Sequence, residues 1–325
     1  MKKLLILVLA LCCTSCSALP AEERAFAVAL CVEKTGAEWQ VQSRIPAYKT
    51  GGKYLTVTGK GPTISAALTD MDASAPMKVT LSQLRLLVLN AGLGQTGAIP
   101  EALLALSSML DVRPQCHVAV TEASSDAVME ALTPETGARL SKMLDVLLEA
   151  RIEQGAILST KLADVIRMGD RRSPVLMRLQ LSEKKLDLSG AWPMRMDGHL
   201  TQPLPAEDTV LLSFLTGDTK EARMTFPDGT AMVRDVSVTA CLSDDQRTAH
   251  VTLTLQMGES SFTAAQLEEL LADALVKLLS HLSAEGCDVL GLGRKAALHQ
   301  SVGVGWPEAY REIRWEVSVG VTKPI

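Results

Sequence analysis

His250-Val-Thr-Leu-Thr-Leu-Gln-Met257 alternates without a fault. Val251, Leu253, Leu255 and Met257 fall on one face of an extended chain; His250, Thr252, Thr254 and Gln256 fall on the other. A period of two places successive side chains on opposite sides of a strand, so the segment predicts a sheet with one packed and one wet face. Residues 230–242 form the first arm of the same long hairpin. Just beyond it, Thr263-Ala-Ala-Gln266 is a capping box. It opens the longest helix expected in the chain, ending near Gly286, with Leu267, Leu270, Leu271, Ala274, Leu275, Leu278 and Leu282 on a broad stripe. Such a stripe needs a sheet to cover. Residues 314–321 alternate again and add a strand. The second half is therefore expected to be an antiparallel sheet covered by a long helix, an α+β layout.

Upstream, short strands mix with helices. Residues 24–32 are apolar on both faces, as in a strand covered on two sides. Strands are expected at 39–45, 54–58, 84–90 and 115–121, with Gly59-Lys-Gly61 breaking the pattern after 54–58. Helices are expected from Thr63 as N-cap to Met71, from Pro100 to Met109, over 126–132 capped by Ser125, and over 135–152 and 160–168. This half, 24–168, reads as a mixed αβ domain. Residues 169–174, Gly-Asp-Arg-Arg-Ser-Pro, are polar and end in proline, and so read as a linker to a C-terminal domain over 175–325. Its first strands are expected at 174–181 and 190–196, followed by a helix over 205–215.

The chain opens on Met1-Lys2-Lys3, eight apolar residues, then Cys12-Cys13-Thr14-Ser15-Cys16. Eight apolar residues are too few to cross a bilayer, which takes ~20, but suit a signal-peptide core. Small residues just before a thiol form the pattern of a bacterial lipoprotein cleavage site, with Cys13 standing where an aliphatic is usual. The expectation is a leader over 1–15, a diacylglycerol on Cys16, a tether over 16–23, and a chain held on the outer face of the cell membrane. The formal net charge of −5 becomes −7 once Lys2 and Lys3 leave with the leader. That argues against a nucleic-acid partner, which needs a basic face.

No catalytic constellation stands out. His117, His199, His250, His281 and His299 show no metal-ligand spacing, and no cofactor is implied. Cys116 and His117 are adjacent in a strand and point apart. Ser182-Glu-Lys-Lys185 matches SxxK without the companion motifs, and reads as a solvated turn. Asp244-Asp245 and Glu268-Glu269 read as solvated charge. Gly291-Leu-Gly293 is a lone GxG, weak as a phosphate loop and better explained by backbone freedom at a turn. Cys31, Cys116, Cys241 and Cys287 show no CxxC. Cys31 and Cys241 sit in apolar strands and read as buried thiols, ahead of disulfides. An anchored body without a catalytic set suggests a protein that binds, assembles or signals at a membrane. The alternatives are a lipoprotein solute-binding module, which needs two parallel-sheet lobes around a cleft, and a hydrolase whose Ser, His and Asp meet only in space.

The last third is more specific. Asp288-Val-Leu-Gly291-Leu-Gly293 is followed by Trp306-Pro-Glu-Ala-Tyr310 and an alternating Val strand. This resembles the C-subunit lipoproteins of bacterial spore germinant receptors, the GerC type. Asp288, Gly291, Gly293 and Trp306 match the family motif, read as structural. Gly190-Ala-Trp192, Gly198-His-Leu200, Gly61-Pro-Thr63 and the glycine loop at Gly92, Gly94 and Gly97 resemble further family motifs in the same order. The resemblance implies a multidomain α+β fold without enzymatic activity. It also implies a place at the spore inner membrane beside two integral-membrane receptor subunits, in a complex that responds to small nutrients.

Overall fold

A computed structural model of the chain describes residues 24–46, 54–109, 111–133, 139–168, 172–183, 185–244, 246–299 and 306–323. Cys16 and the leader lie outside them. The larger sheet has seven strands: β1 (Arg24–Phe26) stands apart, and β2 (Ala29–Thr35), β3 (Glu38–Pro46), β4 (Tyr54–Gly61), β6 (Leu86–Asn90), β7 (His117–Thr121), β8 (Val175–Ser182) and β9 (Lys185–Pro193) run in the order β4-β3-β2-β6-β7-β8-β9. β1 pairs in parallel with the short β5 (Lys78–Thr80). The centre, β2-β6-β7-β8, is parallel and the flanks are antiparallel. The central strands are apolar on both faces because both are covered: Leu86 and Leu87 are each fully enclosed, yet point to opposite sides.

One face packs on α1 (Ile64–Ser74), the one-turn α2 (Gly92–Gln95), α3 (Ile99–Ser107) and α6 (Leu162–Met168); the other packs on α4 (Ser125–Ala131) and α5 (Leu140–Glu153). Thr63 caps α1, its Oγ1 accepting from Ala66 N at 3.1 Å. The cap of α4 is Ser124, one residue before the expected Ser125. The expected break at Gly59-Lys-Gly61 is instead the end of β4. A methyl group at Gly59 would collide with the backbone of Ala67 and Met71 in α1, so glycine here lets helix and strand touch.

Strands β8 and β9 are the main departure from the sequence reading. They follow the stretch read as a linker, yet they pair with β7 and complete the first sheet. Glu183, at φ 49°, turns one strand into the other, and Ser182 pairs with Lys185 across that turn, which accounts for the SxxK match. Next, α7 (Ala206–Thr216) packs against β9, β10 and β11 and is buried from Thr209 through Leu215. It bridges the two sheets and so lacks a solvent face. Its buried hydroxyls bond to its own backbone: Thr209 to Pro205 O at 2.8 Å and Ser213 to Val210 O at 2.7 Å. Gly217 closes it in the left-handed conformation, φ 76°.

The smaller sheet is β10 (Ala222–Phe226), β11 (Gly229–Leu242), β12 (Thr248–Ser260) and β13 (Arg314–Thr322), in that order. β10, β11 and β12 are antiparallel; β13 joins β12 in parallel. Val251, Leu253, Leu255 and Met257 are buried under α8 (Ala264–Ala284), and His250, Thr252, Thr254 and Gln256 face out. The capping box forms: Thr263 Oγ1 accepts from Gln266 N at 3.3 Å, and Gln266 Oε1 accepts from Thr263 N at 2.9 Å. Two short helices, α9 (Leu292–His299) and α10 (Trp306–Arg311), lead into β13. No helix among the described residues is long and apolar enough to cross a membrane. The α+β class holds for both halves.

Candidate functional site

The C-terminal motif residues converge on one carboxylate. Asp288 is 8 % exposed. Its Oδ1 accepts from Leu292 N at 2.9 Å, and its Oδ2 accepts from Gly293 N at 2.8 Å and from Trp306 Nε1 at 3.2 Å. The first two donors are unpaired backbone groups at the start of α9, so Asp288 fills the role of a helix cap. Its backbone oxygen accepts from Ser173 N at 2.9 Å, tying the motif to the approach of β8. Gly291 turns the chain at φ 65°. Gly293 has no Cβ, and one placed there would collide with the Trp306 indole. Below, Tyr310 Oη donates to Cys287 O at 3.1 Å and Trp315 Nε1 donates to Ser283 Oγ at 3.2 Å. Burial pushes the Asp288 carboxyl above its usual range, opposed by the bonds from Gly293, Leu292 and Trp306. The GxG therefore meets the protein's own carboxylate, at the place a bound phosphate would need.

Two of the earlier motifs also meet one another. The glycine loop carries α2 and packs under the turn formed by Arg195–His199. A methyl group at Gly94 would strike Leu200, one at Gly97 would strike the His199 ring, and one at Gly198 would strike Pro100. Leu200 N donates to Gly94 O at 3.3 Å. Two stretches that the sequence keeps about a hundred positions apart thus form one packed contact.

Among the remaining candidates, His199 and Arg195 share Asp197, at 3.1 and 2.7 Å. His250 Nδ1 stands 3.0 Å from Glu316. His117 is driven down to about 4, by burial first and Lys161 next. Nothing is described of the His299 side chain or of Asp245. Glu268 is not merely solvated, since its Oε1 accepts from Val321 N at 2.8 Å and pins the end of β13. All four described cysteines are free thiols. Cys31, Cys116 and Cys287 are buried, and burial pushes Cys116 and Cys287 up to about 12. Cys241, expected to be buried, is exposed: in β11 it falls on the wet face, opposite His250. Among the described residues no three His, Cys, Asp or Glu side chains are grouped to hold a metal.

Among the described residues, two open clefts stand out. One, of about 530 Å³, lies between β1, β5 and α1 and is lined by Arg24, Asp72, Lys78 and Asp111 among others. The other, of about 430 Å³, lies beside α7 and includes Gln154, Glu207 and Arg223. Neither is lined by His or Cys, so neither places a nucleophile beside an imidazole base.

A model of the spore germination protein N-terminal domain matches residues 18–181, just over half of the chain. The chain belongs to the spore germination protein family. The match starts two residues after Cys16 and ends one residue before the last residue of β8. The motif Asp288–Trp306 lies wholly outside that stretch. A solved structure, "Crystal Structure of the GerBC protein", is similar in fold, with a TM-score of 0.59 at 12% identity over 91% of this chain and 97% of that one. None of the curated proteins compared with the chain matches it. That likeness in fold extends over both sheets.

Proposed function

We propose that the chain is a lipid-anchored C subunit of a spore nutrient germinant receptor, acting in receptor assembly and signalling without catalysing a reaction. The family domain carries this reading, together with its position directly behind Cys16. Between Cys16 and Arg24 stand seven residues, which reach about 25 Å at full extension. A diacylglycerol on Cys16 would therefore keep the body against the outer face of the membrane, beside integral-membrane receptor subunits. Two acyl chains anchor stably where one does not. Asp288, Gly291, Gly293 and Trp306 serve as a structural knot in this reading, because the carboxylate is already engaged by three donors of the protein itself.

Labelled palmitate tests the anchor. The wild-type chain should incorporate it and sediment with membranes, and Cys16→Ala should do neither. Deleting the gene should slow nutrient-triggered germination while leaving germination by non-nutrient agents unchanged. Wild-type chain that takes up no label overturns the anchoring. Normal nutrient germination in a strain lacking every related subunit overturns the receptor role.

A further inference from the structure

The exposed thiol has company. Cys241 on β11 is the register partner of His250 on β12, and His250 is the register partner of Glu316 on β13. Directly paired residues share a face, with Cβ atoms about 5 Å apart. All three are exposed. Thiol, imidazole and carboxylate thus form a row across three strands on the open face of the smaller sheet. The Glu316 carboxylate, 3.0 Å from His250 Nδ1, orients the ring and leaves Nε2 as the ring nitrogen outside that pair. The three do not surround a common point, and no metal group forms there. The other described thiols are shut in the core.

The surroundings narrow the chemistry. Acyl transfer needs backbone N–H groups gathered around an oxyanion, and on the strand that carries His250, β12, the backbone is engaged in ladder bonds on both sides. Exchange at sulfur needs no such donors, only a thiolate, a proton acceptor and access. A flat, open face supplies access. We propose that Cys241, His250 and Glu316 form a thiol-exchange site whose substrate is a small disulfide. Nε2 of His250 takes the thiol proton and Cys241 Sγ attacks one sulfur of the substrate. The substrate S–S bond breaks as the new one forms, and the departing thiolate takes the proton from the imidazolium. One thiol and one disulfide become one mixed disulfide and one thiol, with no net oxidation. Glu316 is a positioning residue.

The test treats the full chain in detergent with a nitrobenzoate disulfide and maps the labelled cysteine by peptide mass, so that thiols near the N-terminus are counted apart. Cys241 should label well before Cys31, Cys116 and Cys287, and Cys241→Ser should remove that phase. His250→Gln should slow it about tenfold, less than the ~10²-fold that an enclosed base supplies. Glu316→Gln should slow it without moving Tm, and should add nothing to His250→Gln. Labelling of Cys241 no faster than the buried thiols, or a wild-type rate in His250→Gln, overturns the proposal.

Discussion

Trp306 donates its indole N–H to the Asp288 carboxylate at 3.2 Å, across eighteen positions of sequence. The same oxygen accepts from Gly293 N, so one buried carboxylate fixes the start of α9 and the start of α10 together. The contact exists only because Gly293 carries no side chain.

Asp288→Ala should lower the unfolding free energy by about 2–4 kcal/mol, since it leaves two helix N–H groups and an indole unpaired. Asp288→Asn keeps an acceptor and should cost about 1 kcal/mol. Because folding raises the carboxyl above 3.8, the folded state holds the proton more tightly. The stability from this group is present below 3.8 and is lost as pH rises through its raised value. Urea unfolding across pH should therefore show wild type losing ground to Asp288→Asn as pH climbs from 3.8.

His117 should act in the opposite sense. Its pKa falls from 6.5 to about 4 on folding, so the unfolded chain binds the proton first. Stability should fall by up to about 3 kcal/mol as pH drops from 6.5 to 4. His117→Gln should flatten that part of the curve, and an unchanged slope would count against it.

Gly94 and Leu200 should be coupled. Gly94→Ala forces its methyl group into the Leu200 side chain and should cost about 1–3 kcal/mol as overpacking. Adding Leu200→Ala makes room, so the double variant should be more stable than the sum of the single changes by at least ~0.5 kcal/mol. Denaturant midpoints of the four proteins decide it.

Thr263→Ala should cost about 1 kcal/mol through the lost cap of α8. Gln266→Ala alone should cost less, since the threonine still caps the helix. Thermal unfolding separates the two.

Much of the C-terminal half was legible because its signals are local. The alternation of Val251 to Met257 and the spacing of Thr263 and Gln266 concern residues a few positions apart, and backbone periodicity reads them directly. Asp288, Gly291, Gly293 and Trp306 were legible as a motif but not as a contact, since nothing local says that an indole eighteen positions on returns to the carboxylate. Cys241 was misread because its neighbours in sequence, Ala240 and Leu242, are apolar. Exposure in a strand depends on which face is covered, and only α8 and α7 decide that. For β8 and β9, hairpin propensity predicts the pair but not the edge it joins.

From the sequence alone came the α+β class, most strands and helices, the capped helix α8 and the family. Those follow from side-chain period, capping chemistry and motif order, all of which act over short range. The tertiary structure alone decided that β8 and β9 close the first sheet, that β13 runs parallel to β12, and that Gly94 lies under Leu200. Each of these sets distant segments against one another, and the collective burial of both sheets selects among partners that local patterning leaves equivalent.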